Sequence, residues 1–257
     1  MYASFELTDN IVIGDYNDDG KLDSLDGYDY DYAPVGNGAT FTGSLDGNGH
    51  SILGLSDSLF EVNAGAVSDI TLNLNYKVYA SENDIPDSDK VTDSVTNMTY
   101  TSAKVAKRDQ EILFGALAKV NRATGSLIRV NVSGDIYVRT LGRSNVTLGG
   151  IVGVDMGGQI VASQFSAKLS VRASQMVIGG IVGEIKYSDR ALSQITMNDV
   201  IVANGIDLGG GIAVAGSYIG RIGVETNYEL NFASSTNIIY NGNSLGNNQF
   251  VGVQINK

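Results

Sequence analysis

The sequence predicts an all-β fold in which the chain winds once per repeat and stacks each turn on the previous one. A glycine-rich motif, LGGIVG at 148–153, returns as IGGIVG at 178–183, a spacing of 30 residues. Related segments occur at 208–212, at 113–118 and, more diverged, at 59–62. No segment has a helical periodicity of useful length, and short apolar-alternating runs end in Gly, Asn, Asp or Ser. Units of this length made only of strands are typical of a solenoid.

A second column of similar segments follows the first. It consists of ITLN at 70–73, IRVN at 128–131, IVAS at 160–163 and ITMN at 195–198. We expect the apolar residues of the first column to stack inward, namely Phe60, Phe114, Ile151, Ile181 and Ile212. The polar ends of the second column predict either a hydrogen-bonded ladder or residues that tolerate a left-handed turn, namely Asn73, Asn131, Ser163 and Asn198.

Composition limits the possible functions. The 257 residues include 32 glycines and no cysteine, so the chain contains neither disulfides nor thiolate metal sites. The 17 basic and 28 acidic residues give a net charge of −11, which argues against nucleic acid and anionic membranes as partners and favours cations. No run of 18 apolar residues is present, so no direct membrane insertion is expected.

One segment resembles a known family. Residues 41–52, FTGSLDGNGHSI, are similar to the F-x-G-x-x-D-G-N-G-H-x-I signature that precedes repeats of the GLUG type. Such repeats occur in large prokaryotic surface proteins and in the N-terminal regions of immunoglobulin-A-specific metallopeptidases. The resemblance covers residues 33 to about 220, apart from an insertion after Tyr76 and a weak match after Tyr218. It implies a right-handed parallel β-helix on the cell exterior that serves adhesion or display, without a defined ligand.

An acidic loop near the N-terminus predicts a calcium site. Its spacing fits the twelve-residue loop D-x-[DN]-x-[DN]-G, with Gly20 at the sharp turn. The loop resembles the dockerin version, which also ends in aspartate. The predicted ligands are the side chains of Asp15, Asn17, Asp19, Asp23 and Asp26 with the carbonyl of Lys21. The alternative is a solvated acidic turn, since neither flank has a helical pattern.

The repeats predict one β-helix domain over residues 1–257, in which 1–32 form an N-terminal cap with the acidic loop. Residues 81–111 interrupt the repeat as an insertion that forms a hairpin or short helix over the coil. Long loops on rigid scaffolds often carry function, so the insertion is the expected contact region.

The expected function is non-catalytic adhesion or display by an extracellular, cell-surface domain of a longer exported protein. Its partner is expected to be a surface carbohydrate or protein. The chain has a single histidine, His50, and its scattered acidic residues show no columnar register, so no catalytic set can be assembled. The alternatives are a polysaccharide-binding module and a β-helix polysaccharide lyase or hydrolase, since fold alone does not exclude chemistry.

Overall fold

The structure is a computed structural model that describes residues 3–14, 32–92, 97–101, 103–142, 144–186, 195–202, 204–223, 228–232, 238–240, 243–244 and 250–255. Within these ranges the chain is all-β, with two short 3₁₀ turns and no α-helix. The strands before the insertion are β1 (Ser4–Glu6), β2 (Ile11–Val12), β3 (Val35–Phe41), β4 (Ser44–Asp46), β5 (Ser51–Leu55), β6 (Phe60–Asn63) and β7 (Ala66–Tyr79).

The insertion contains the 3₁₀ turns Glu82–Asp84 and Asp87–Asp89 and the strands β8 (Val91–Thr92), β9 (Thr99–Tyr100) and β10 (Ala103–Val105). The next strands are β11 (Ile112–Gly115), β12 (Ala118–Asn121), β13 (Ser126–Arg139), β14 (Val146–Gly149), β15 (Val152–Asp155), β16 (Gln159–Val161), β17 (Gln164–Phe165), β18 (Lys168–Gly179) and β19 (Val182–Ile185). The last are β20 (Ile195–Val202), β21 (Ile206–Gly216), β22 (Ile219–Ile222), β23 (Tyr228–Phe232), β24 (Ile238–Tyr240), β25 (Asn243–Ser244) and β26 (Val253–Ile255).

Parallel pairing organises the described strands. A six-stranded sheet has the order β22-β19-β15-β12-β6-β3, so strands far apart in sequence are neighbours in space. An eighteen-stranded sheet contains most of the others, and β8 pairs with β9 in a two-stranded ribbon. Antiparallel pairing joins β8 to β9, β21 to β26 and β24 to β25 among the described strands. Strands β14, β15 and β19 are buried along their whole length, where the apolar residues of the repeats are suited, whereas β13 and β18 have one buried face.

The register across the six-stranded sheet identifies the true repeat. Phe60, Ala118, Val152, Val182 and Ile219 lie side by side in successive strands. The intervals are therefore 58, 34, 30 and 37 residues, the first of which includes the insertion. The 30-residue spacing of the two LGGIVG-like motifs is confirmed, and the other intervals differ because the turns between strands vary in length.

Four of the five residues predicted to stack inward are buried, but one prediction was wrong. Phe60, Phe114, Ile151 and Ile181 are at most 3% exposed, whereas Ile212 is 46% exposed. The segment 208–212 pairs with 171–175 of β18 and does not continue the glycine motif. The residue that lies next to Ile181 in the following strand turn is instead Tyr218, which is fully buried.

The inward residues also form two rows instead of one. Phe114 lies beside Leu148, Ile178 and Ala215 in the large sheet, while Ile151 belongs to the turn that leads into the six-stranded sheet. Both rows join one continuous core, to which Tyr76 contributes by stacking on Phe114 at a centroid distance of 3.9 Å. The core thus extends through successive strands as one body.

Candidate functional site

The outward side of β13 and β18 carries basic and aromatic side chains that lie on two adjacent strands. From 135 to 139 in β13, buried Ile136 and Val138 alternate with outward-facing residues, as a strand with one buried face requires. β18 pairs with this segment in parallel over residues 168–172. We call the outward residues Tyr137, Arg139, Lys168 and Arg172 the basic strip.

The two arginines of the basic strip are direct neighbours across the sheet. Arg139 lies opposite Arg172 in register, and the strands are separated by about 4.8 Å. Arg172 is anchored: its Nη2 donates to Asp207 Oδ2 at 2.8 Å, and its Nη1 donates to the Asp207 and Val171 carbonyls at 3.2 and 3.1 Å. Arg139 is exposed and has neither a hydrogen bond nor an ion pair with any residue that the structure describes. Its charge is therefore available to a ligand.

The insertion borders the basic strip and is fixed to it. Asp89 accepts a hydrogen bond from Tyr79 at 2.6 Å and binds Lys77 Nζ at 2.5 Å, which ties the second 3₁₀ turn to β7. The ring of Tyr79 contacts that of Tyr137 at a centroid distance of 5.4 Å. This holds the Tyr137 ring in place beside Arg139.

The insertion contains both elements that the sequence allowed, since short 3₁₀ turns precede the β8–β9 ribbon. β10 then pairs with the end of β7 in parallel, so the insertion rejoins the large sheet. Lys104 Nζ in β10 binds Asp57 Oδ2 at 2.6 Å, a second attachment to the turn before β6. The described residues of the insertion are thus attached to the rest of the chain at two points, and their removal would uncover buried Tyr79.

Four carboxylates of the described strands are paired with a cation from a neighbouring strand, namely Glu61, Asp69, Glu184 and Asp207. Glu61 binds Lys119 at 2.9 Å, and Asp69 binds Arg129 through both of its oxygens. Glu184, only 4% exposed, accepts hydrogen bonds from Arg221 and lies 3.2 Å from Lys186 Nζ. Such pairs contribute little stability individually where they are exposed, but they neutralise acids that a catalytic groove would leave available.

A buried polar ladder runs along the end of the six-stranded sheet. Asn63 Nδ2 donates to Asn121 Oδ1 at 2.8 Å, and Asn121 Nδ2 donates to Asp155 Oδ1 at 3.0 Å. All three side chains are fully buried. Gly125 and Gly158 border the ladder, and a Cβ at either would overlap the Asn121 amide. These glycines are therefore required by the ladder.

Asp155 is the last residue of this ladder, and only one of its two carboxyl oxygens is hydrogen-bonded to described atoms. Its Oδ1 accepts from Asn121 and from the Gly158 amide at 3.1 Å, whereas its buried Oδ2 has no hydrogen-bond partner among the described atoms. Burial raises the pKa of Asp155 from 3.8 to about 6, and the hydrogen bonds from Asn121 and nearby amides limit the rise. The ladder thus contains a group that changes charge in a mildly acidic range.

Both alternatives for the second column were wrong, because Asn73, Asn131 and Ser163 do not lie opposite one another and none of them has a positive φ. Asn73 lies opposite Ser133 and donates to its hydroxyl at 3.2 Å, while Asn131 lies opposite Gln164. The real ladder follows the segments FEVN, AKVN and VGVD at 60–63, 118–121 and 152–155. All three segments have Val at the third position and Asn or Asp at the fourth. This shared pattern could have located the ladder from the sequence.

The left-handed positions form a separate row at a bend. Asp69, Arg129 and Ala162 have φ of 55°, 53° and 49°, and they occupy corresponding places in β7, β13 and the turn after β16. The turn at 46–50 is also tight: Asp46 Oδ1 accepts from the Asn48 amide at 2.9 Å, and His50 is half-buried. The repeated bend and the ladder are therefore separate structural features formed by different residues.

The predicted calcium ligands Asp15, Asn17, Asp19, Lys21, Asp23 and Asp26 lie outside the described residues. In the ranges that the structure does describe, no group of three or more His, Asp or Glu side chains is placed to hold a metal ion. Of the residues that follow the loop, Tyr32 is described; its hydroxyl lies 3.5 Å from the Leu59 carbonyl oxygen. The calcium site therefore stays a prediction.

Comparison with protein families, curated proteins and solved structures found no match to this chain. In the described part of the chain, no helix is long and apolar enough to span a membrane.

Proposed function

We propose that this chain is a right-handed parallel β-helix that serves as a non-catalytic adhesion or display domain of a longer, extracellular cell-surface protein. The observation that carries the proposal is the register of the six-stranded sheet, in which the same position recurs through Phe60, Ala118, Val152, Val182 and Ile219. Between successive members the chain contributes strands to the large sheet, and this alternation supports a coiled path.

A coil of stacked strands suits presentation because it holds a large surface in one conformation. A partner that binds such a surface does not have to order it, so less of the interaction energy is lost to conformational entropy. The cross-strand ion pairs at Glu61, Asp69, Asp207 and Glu184 support the same reading, since these carboxylates already have cationic partners. A lyase or hydrolase would instead need available acids and a base in one groove.

The architecture is tested by small-angle X-ray scattering of the whole chain. A coil predicts an elongated particle, with a maximum dimension well above that of a sphere of 257 residues. A compact scattering profile would contradict the β-helix part of the proposal, and a strong helical signal in circular dichroism would contradict the all-β assignment.

The function is tested by screening the whole chain against glycans and extracellular-matrix proteins, together with a turnover assay on polysaccharides. We expect specific binding without any release of reducing or unsaturated ends. Turnover of a polysaccharide would replace the adhesion proposal with a lyase or hydrolase. Binding to no glycan or protein in the screen would leave no support for adhesion and would contradict it.

A further inference from the structure

We infer that the basic strip formed by Tyr137, Arg139, Lys168 and Arg172 binds an anionic polysaccharide. This rests on the proposed function and names the class of ligand. Within an acidic chain of net charge −11, this face carries three cationic side chains on two adjacent strands, with Asp135 opposite Lys168 in register and Asp207 bound to Arg172. The positive charge is therefore concentrated at Arg139 and the neighbouring Arg172.

The register of the strip is electrostatically unfavourable without a ligand. Arg139 and Arg172 lie directly opposite each other, and like charges in that position destabilise a sheet. Asp207 compensates Arg172 from the far side, in the next strand. No described anion compensates Arg139. A carboxylate or sulfate that bridges the two guanidinium groups would remove this repulsion.

The arginine side chains suit such an anion. A guanidinium group presents a planar set of donors that matches carboxylate and sulfate oxygens with two parallel hydrogen bonds. Arg172 is held in one orientation by three hydrogen bonds to Asp207 and Val171, so part of the entropic cost of ordering it is already met. Lys168, exposed at the other end of the strip, lies opposite Asp135, so the two arginines are the groups expected to contact the anion.

The aromatic residue favours a sugar polymer over other anions. Tyr137 lies two residues before Arg139 on the same face and is half-buried, with its ring fixed by Tyr79. An aromatic ring with one apolar face and a polar end is suited to packing against a sugar ring while the hydroxyl groups remain hydrated. Nucleic acid requires a larger basic surface than the few cationic side chains of this strip provide.

The test uses the whole chain and four probes: a polyuronate, a sulfated glycosaminoglycan, neutral dextran and poly-glutamate. Affinity is measured by isothermal titration calorimetry at low and high salt. We expect at least one anionic polysaccharide to bind and dextran not to bind. Added salt should weaken the binding because the contacts are charged and exposed. The first two probes distinguish a carboxylate ligand from a sulfate ligand.

The decisive variant is Arg139→Ala. Its side chain makes no polar contact with the described residues, so the variant should fold as the wild type does. We expect its affinity for the anionic polysaccharide to fall about tenfold or more, the usual effect of losing one charge-assisted contact. Arg122→Ala is the matched control, because Arg122 is also an exposed arginine but lies in the turn after β12. It should change affinity less than about twofold, which corresponds to a non-contacting surface charge.

Three results would overturn the inference: no binding of either anionic probe, equal losses in the two variants, or equal binding of poly-glutamate, which would indicate an acidic peptide. The general adhesion proposal fails separately. If the wild type binds a neutral glycan or a matrix protein and Arg139→Ala binds it equally well, adhesion stands and the basic strip is not its site.

Discussion

Replacement of Asp155 by asparagine tests the physical role of the buried ladder. The asparagine amide has nearly the same shape as the carboxyl group, and its oxygen can still accept hydrogen bonds from Asn121 and Gly158. The substitution removes the ability to ionise and replaces Oδ2 with an NH2 group, which, like the O–H of the protonated carboxyl, has no hydrogen-bond partner among the described atoms. Because the rest of the ladder is unchanged, the difference between variant and wild type reports the cost of the buried charge.

The size of that cost follows from the pKa. Burial raises the pKa of Asp155 from 3.8 in the unfolded chain to about 6 in the folded one, so folding takes up a proton between these values. The stability associated with protonated Asp155 is fully present below about pH 4 and is lost as the pH rises to about 6. A shift of about 2 units corresponds to about 3 kcal/mol.

The assay is urea unfolding of wild type and Asp155→Asn at several pH values from 4 to 8. We expect equal stabilities near pH 4 and a difference of about 3 kcal/mol in favour of Asp155→Asn at pH 7.5. Asp135→Asn is the control, because Asp135 is exposed in β13, and its difference from wild type should be small at every pH. A variant that is less stable than wild type at pH 7.5 would refute the reasoning, since it would mean that the folded state stabilises the ionised carboxylate.

Three further predictions address separate features. Gly134→Ala should destabilise the chain by more than about 2 kcal/mol in urea unfolding, because its φ is 94° and a Cβ would overlap the Leu74 backbone; Gly142→Ala, at φ 75° in open space, should lose only about 1 kcal/mol, and equal losses would contradict the overlap argument. Ala162→Gly should stabilise by up to about 1 kcal/mol because glycine adopts φ 49° without strain, and a loss of stability would show that the methyl group matters more. Calcium should raise the melting temperature of the metal-stripped wild type but not of Asp19→Ala, and an unchanged calcium response in the variant would remove the predicted site.

The sequence by itself determined the strand content and much of the inward-facing set. Glycine-rich motifs at 148–153 and 178–183 are in register in the structure, and alternation of apolar residues placed Phe60, Phe114, Ile151 and Ile181 in the core. These features are local: side chains alternate across a strand with period two, and a repeated motif keeps its phase when the intervening length is constant.

The tertiary structure alone decided which strands are neighbours. The intervals of 34, 30 and 37 residues mean that turns absorb different numbers of residues, so a motif at 208–212 with the expected spacing falls beside 171–175 and leaves Ile212 exposed. Register in parallel sheets follows from the sum of all turns, which no short segment encodes.

Unequal turn lengths also explain why the sequence did not predict the ladder or the basic strip. Asn63, Asn121 and Asp155 are 58 and 34 residues apart, and Arg139 and Arg172 are 33 apart, so neither grouping repeats at a constant period. Each becomes a grouping only when parallel pairing brings the strands to about 4.8 Å from one another. The sequence specifies the side chains and the face on which each lies, while the stacking of unequal turns determines which of them interact.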